Sequence, residues 1–272
     1  MLNIYNNGLK KIIKIGSLKI TIKNLEYYKY LLFGYFIKNK IDKLVSNKIE
    51  KLSKNYKIIS LGTFCLPRVI TTFNGLKPRR SQGEKSCPFD LAFFNDIDKI
   101  SELIDTKFKR FYDDIVYESP KDWNLKTWVN YSYEAYLNHD NALTKKEVVE
   151  RYNNRISNFY EYLKDKTKHK FFLIASLSEI SKLQMINLKN VLLKYMNKDE
   201  FDIIYINLSN EVLDFNEVGT FVINISRRNW VKINKSCDWI GELKKRRLPE
   251  AQKIYEDITF NMIDIISNAM NW

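Results

Sequence analysis

Cysteine, histidine, glycine and proline are all scarce in this chain, and each scarcity removes a class of protein. Three cysteines in 272 residues, Cys65, Cys87 and Cys237, are too few and too widely spaced for a disulfide framework or a cysteine-based zinc site. The expectation is a reducing compartment with at least one unpaired thiol. Eight glycines and five prolines exclude collagen-like and low-complexity chains. No run approaches the ~18 apolar residues of a membrane span. Lys10, Lys11 and Lys14 interrupt the opening segment before a signal-peptide core forms. Neither a Gly-x-Gly-x-x-Gly turn nor a Walker-type loop occurs, and no acidic cluster suggests a metal. The sequence therefore points to a cytoplasmic protein with no cofactor and no metal.

What is present is apolar and basic. Hydrophobic residues make up 45% and aromatic residues 14%, enough for a sizeable core, and the length suits one large domain with a small appendage. The net charge of +13 is unevenly placed. Residues 1–57 hold 13 lysines, no arginine and only Glu26, Asp42 and Glu50 as acids. We read residues 1–56 as a basic N-terminal appendage and residues 57–272 as the α/β catalytic-like domain. The most apolar run of the appendage, residues 30–37, lies between Lys29 and Lys38 and fits a buried strand or a membrane-surface patch. Clustered lysines suit an anionic membrane surface or an acidic polymer, which would place the protein peripherally at the inner membrane surface. No specific nucleic acid is expected, because arginines and recognition motifs are missing there.

From residue 57 strands and helices alternate. Ile58, Ile59 and Leu61 form a short strand ending at Gly62, and a helix follows through Val69, Ile70 and Phe73 to a stop at Gly75. Asn95 and Asp98 open a second helix that ends near Lys107. Residues 108–138 are rich in Trp, Tyr and Phe without a clear period and read only as extended segments and loops. Thr144 with Glu147 forms a capping-box pair ahead of a helix of about 20 residues. A buried strand at 171–174, a helix over 181–197, strand-like runs at 203–206 and 221–225, and a closing helix from Pro249 complete the pattern. Strands separated by helices imply a layered α/β fold, a largely parallel sheet flanked by helices.

The segment Ser60-Leu61-Gly62-Thr63-Phe64-Cys65 puts a thiol just beyond a strand and at the start of a helix, where unpaired amides favour a thiolate and an oxyanion. Only His139 and His169 are available as histidine bases. His169, between two lysines, reads as a solvated loop residue. His139 precedes Asp140 and a capped helix. If that stretch is extended, Asp140 faces away from the ring and Asp90 is the other available carboxylate.

Ser60-Leu61-Gly62 with Cys65, then Gly75-Leu76-Lys77, then Ser86-Cys87-Pro88-Phe89-Asp90, then His139-Asp140 before a helix holding Tyr152 and Arg155 resembles a bacterial family of unknown function labelled papain-like cysteine peptidases, over about residues 57–176. The resemblance implies Cys65 as nucleophile, His139 as base, and Asp90 or Asp140 as the orienting carboxylate, with a peptide, amide or acyl substrate passing through a thioester. Two features depart from the family pattern. Leu91 stands where Trp usually follows Pro-Phe-Asp, and residues 78–85 look like an insertion. A strand running directly into Cys65 also suits a Rossmann-like sheet better than the papain arrangement.

Two other readings compete with the thiol enzyme. Arg227 and Arg228, just after the 221–225 strand, would hold phosphate or sugar-phosphate groups in a transferase of bacterial surface-polysaccharide biosynthesis. Residues 31–38 are similar to a short element of some proteins of that pathway. A non-catalytic binding module docked through its basic end is the third reading.

Overall fold

The computed structural model describes residues 2–6, 10–15, 18–23, 55–120, 125–215, 219–235, 238–246 and 248–270. The run at 30–37 and Cys237 lie outside them. The chain divides into two units, Met1–Lys48 and Ile49–Trp272. In the first, strands β1 (Leu2–Asn6), β2 (Lys10–Ile15) and β3 (Leu18–Lys23) pair in sequence order as an antiparallel meander.

The second unit is built on strand β4 (Tyr56–Ser60), followed by helix α1 (Leu66–Phe73), strand β5 (Phe93–Phe94) and helix α2 (Ile97–Asp105). Strands β6 (Ile115–Glu118), β7 (Thr127–Asn130) and β8 (Ala135–Tyr136) come next, then helix α3 (Lys145–Lys164), strand β9 (His169–Ser176) and helix α4 (Lys182–Leu192). Strands β10 (Phe201–Asn207) and β11 (Thr220–Asn224) lead into helices α5 (Arg227–Asn234), α6 (Trp239–Lys245) and α7 (Pro249–Ala269). The main sheet runs β11-β10-β9-β4, and every pairing in it is parallel. The layered α/β fold read from the alternation is the fold observed.

Both faces of this sheet are covered, which explains why β9 is apolar almost throughout and buried along nearly its whole length. Side chains alternate across it. Ile59, Leu61, Phe172, Ile174, Ile203 and Tyr205 belong to one large core cluster. Ile58, Phe171, Leu173, Ile204 and Ile206 are equally buried and occupy the alternate positions. Helices α2 and α4 pack together, and α7 packs on α5, α6 and β11.

The aromatic stretch that resisted reading forms a second sheet. Its order is β5-β8-β7-β6, antiparallel throughout. Short strands buried on both sides, such as β7, carry no alternation for a sequence pattern to reveal. The aromatics instead join this sheet to α3. Phe89 lies 5.6 Å from Phe108 and 5.7 Å from Phe159, and Phe111 lies 5.6 Å from Tyr152. Such pairs contribute about 0.5–1.5 kcal/mol each beyond their buried area.

Four local expectations are corrected. Helix α2 is capped by Asp96, whose side chain accepts from the Asp98 amide, and not by Asn95 or Asp98. It stops where Lys107 and Phe108 both take positive φ. Helix α4 ends at Leu192, with turns over Lys194–Met196 prolonging its apolar period. His169 is the first residue of β9, its ring paired with Asp202 at 2.9 Å and set against Phe171. It is not a solvated loop residue. Residues 137–140 form a turn, closed by the Asp140 amide on the Leu137 carbonyl, so the extended-strand argument separating Asp140 from His139 does not apply.

Candidate functional site

The thiol is positioned by continuing β4 alongside β9 past its last ladder pair. The Leu61 amide donates to the Leu173 carbonyl at 2.8 Å, and the Thr63 hydroxyl donates to the Ala175 carbonyl at 2.9 Å. From the second sheet, the Phe94 amide donates to the Thr63 carbonyl at 2.7 Å. Gly62 is required at the bend, because a Cβ there would lie 2.7 Å from both the Phe64 carbonyl oxygen and the Pro67 Cγ. Phe64 anchors the loop by closing a ring triangle with Trp230 of α5 and Trp239 of α6, at 5.8 and 6.2 Å.

Cys65 is the N-cap of α1, and its carbonyl accepts from the Val69 amide at 3.0 Å. Pro67 has no N–H to offer, so the amides of Leu66 and Arg68 are the donors of the first turn. Cys65 is half-buried, and burial pushes its thiol above the ordinary value, opposed by its own backbone amide. Cys87 is 0% exposed. Burial drives its thiol far higher, and the nearby Asp90 and Glu84 carboxylates add to the rise. Of the two described thiols only Cys65 is both accessible and at a strand's carboxyl end.

His139 is exposed at the tip of its turn. Desolvation pushes its imidazole below the ordinary value; Arg155 adds to this and Asp140 opposes it. Asp140 is itself buried and accepts from Arg151 Nη1 at 2.5 Å and Arg155 Nη1 at 3.0 Å. Its oxygens therefore fasten the turn to α3. Asp90 is buried too, with one oxygen accepting from the Cys87 amide at 2.8 Å and the other from Lys77 Nζ at 3.3 Å. Burial raises the Asp90 carboxyl, but Lys77, Arg68 and the Cys87 amide together hold it below its ordinary value. Lys77, only 1% exposed, also lies 3.7 Å from Glu84, and Glu84 accepts from Lys57 at 2.7 Å. Among the described residues, no hydrogen bond joins His139 to Cys65, Asp90 or Asp140.

Arg227 and Arg228 begin α5 at the carboxyl end of β11. Three strand spacings separate β11 from β4, about 14 Å across the same sheet end. The Arg227 guanidinium donates to the Leu208 carbonyl at 3.1 Å, while Arg228 is exposed. Arg227 thus closes the end of β10. Among the described residues no group of three or more His, Cys, Asp and Glu side chains is placed to hold a metal ion, and no helix is long and apolar enough to cross a membrane. Residues that sequence reasoning passed over are Arg151, which with Arg155 clamps Asp140, and Lys57 and Glu84, which extend the buried Lys77–Asp90 pair. Charged residues read as solvated by default, and only the fold brings them inside.

Fold and site together define an α/β protein that sets a thiol at the carboxyl end of the first strand of a parallel sheet. The model of a family described as "Putative papain-like cysteine peptidase (DUF1796)" matches residues 56–211, and the chain belongs to that family. The match begins at β4 and ends just past β10. Cys65, Asp90, His139 and Asp140 fall within it, and Arg227 and Arg228 lie beyond. Comparison with curated proteins and with solved structures gives no match.

Proposed function

We propose that this protein is a cysteine-dependent hydrolase or acyltransferase that acts on an amide or acyl substrate through a thioester on Cys65. The observation that carries this reading is the place of Cys65, half-buried at the end of β4 and at the head of α1. Attack by the sulfur on a carbonyl develops an oxyanion, and the first-turn amides are the donors that receive it. A neutral thiol needs a base. His139, held below its ordinary value, is unprotonated near pH 7 and suited to accept that proton and return it to the leaving group. Asp90 and Asp140 serve by fixing the two segments that carry the reacting groups.

The test is selective alkylation joined to turnover. Iodoacetamide is expected to modify the half-buried Cys65 well before the fully buried Cys87, and Cys65→Ala is expected to abolish hydrolysis of a general amide or thioester library. Equal labelling of Cys65 and Cys87, or full activity in the variant, rules the reading out.

A further inference from the structure

The meander of the first unit sorts its residues onto two unlike faces. Directly opposite residues of an antiparallel pair share a face, and neighbours along a strand lie on opposite faces. The register sets Lys10 of β2 opposite Lys23 of β3, and Lys14 opposite Lys19. Between those two pairs it sets Tyr5 of β1 opposite Ile12, and Ile12 opposite Thr21. All four lysines therefore occupy one face. The other face holds the rows Ile4-Ile13-Ile20 and Leu2-Ile15-Leu18, with Lys11 as its one charged residue.

A three-stranded sheet needs an apolar face to bury before it is stable in water, and the aliphatic rows meet that need. The lysine face has the reverse problem. Like charges directly opposite each other in a sheet are destabilising, and both pairs here are lysine on lysine. The strands supply no relief, since residues 1–23 contain five lysines and no Asp or Glu. Glu26, Asp42 and Glu50 are the acids of residues 1–57 against 13 lysines, so a surplus of ten positive charges persists whatever those acids pair with. Burying ammonium groups without carboxylates is costly. This face calls for an anion from outside the chain.

The spacing selects the kind of anion. Along each strand the paired lysines are four residues apart, roughly 14 Å at about 3.4 Å per residue, while the strands lie about 4.8 Å apart. One phosphate can bridge one pair but not both, so an extended anion is needed. A single nucleic-acid strand is held in a groove by stacking aromatics, and phosphate is forked by arginine. This face is a sheet with Tyr5 as its one ring, and residues 1–57 hold no arginine. A bilayer presents a plane of anionic headgroups that diffuse to whatever spacing the lysines set, and lysine serves there as a point charge.

We propose that the lysine face of the meander docks the protein on an anionic lipid surface, with headgroups gathered at the Lys10–Lys23 and Lys14–Lys19 pairs. The docking does not depend on the thiol chemistry and stands or falls without it.

Cosedimentation of the full-length protein with vesicles tests it. Vesicles of phosphatidylcholine with phosphatidylserine are expected to bind the protein, vesicles of phosphatidylcholine alone are not, and added salt is expected to release it. Lys14→Gln is expected to weaken binding roughly fivefold, and Lys14→Gln with Lys19→Gln roughly twenty-five-fold. Lys14→Arg keeps the charge and is expected to bind as the unaltered chain does, which separates lost charge from lost folding. Lys11→Gln, on the aliphatic face and about a Debye length farther from the lipid, is expected to weaken binding no more than about twofold. Binding to phosphatidylcholine alone, or binding that survives high salt, points to insertion of the aliphatic face and overturns the proposal. Equal losses for Lys11→Gln and Lys14→Gln, or a loss for Lys14→Arg as large as for Lys14→Gln, overturn it as well. Displacement from the vesicles by polyuridylate RNA at equal phosphate concentration assigns the face to a polymer and removes the lipid.

Discussion

At the scale of single residues, the protonation states of Cys65 and His139 fix the kind of thiol chemistry available. Burial raises the thiol and desolvation lowers the imidazole. Their ordinary values are about 8.5 and about 6.5, so near pH 7 both groups are neutral. A preformed thiolate–imidazolium pair requires the opposite shifts. The alkylation rate of Cys65 in the free protein should therefore climb with pH into the range above about 8.5 and show no plateau in mildly acidic solution. A plateau below neutrality, abolished by His139→Ala, would mean an ion pair and refute the neutral couple. Asp90 gives a second residue-scale expectation. Its folded carboxyl is held low by Lys77 and Arg68 against the effect of burial. The stability it gives is complete above about pH 4, the unfolded value, and is lost as the pH falls through the folded one. Asp90→Asn leaves Lys77 buried with only Glu84 nearby, which costs about 3–5 kcal/mol. Urea unfolding should show that difference at pH 7 and a smaller one in acid.

At the scale of elements, helix α3 does two jobs with two faces. Val148, Tyr152, Phe159 and Leu163 are buried in the core, while Arg151, Asn154 and Asn158 line a cleft. Its start is set by Thr144, whose hydroxyl accepts from the Glu147 amide while the Glu147 side chain accepts from the Thr144 amide. Thr144→Ala should cost about 1 kcal/mol by urea unfolding, and no change in midpoint would show that the cap is idle. This helix was legible because cap chemistry and apolar spacing agree over twenty residues. The same agreement made α7 and the parallel strands readable. Helices α5 and α6 were not readable, being eight and seven residues long and so too short for an apolar stripe to repeat. At the site, Cys65 stood out because a strand, a glycine bend and a helix start meet in six residues. The partners of Asp90 and Asp140 were hidden, since Lys77 and Arg151 reach them across 13 and 11 residues of chain, and no local pattern records such pairings.

At the scale of the whole second unit, the family match and the fold do not end together. The match stops at residue 211, yet β11 pairs with β10 over Ile203–Asn207, and α7 packs on β11 and α5. The α7 stripe of Ala251, Ile254, Ile258 and Met262 is wholly buried. Removing everything after residue 211 would bare the β10 edge, leave part of one sheet face uncovered and strip the Trp230 and Trp239 rings from Phe64. Each large apolar side chain newly exposed costs about 1.5–3 kcal/mol, against a typical domain stability of roughly 5–15 kcal/mol. Several such losses exceed the total. A fragment of residues 56–211 should therefore aggregate or bind the dye ANS without cooperative thermal unfolding, whereas the full chain unfolds cooperatively. A monomeric fragment with a sharp melting transition, its Cys65 alkylated at the rate seen in the full chain, would show that the family region folds by itself and that helices α5–α7 do not support the thiol.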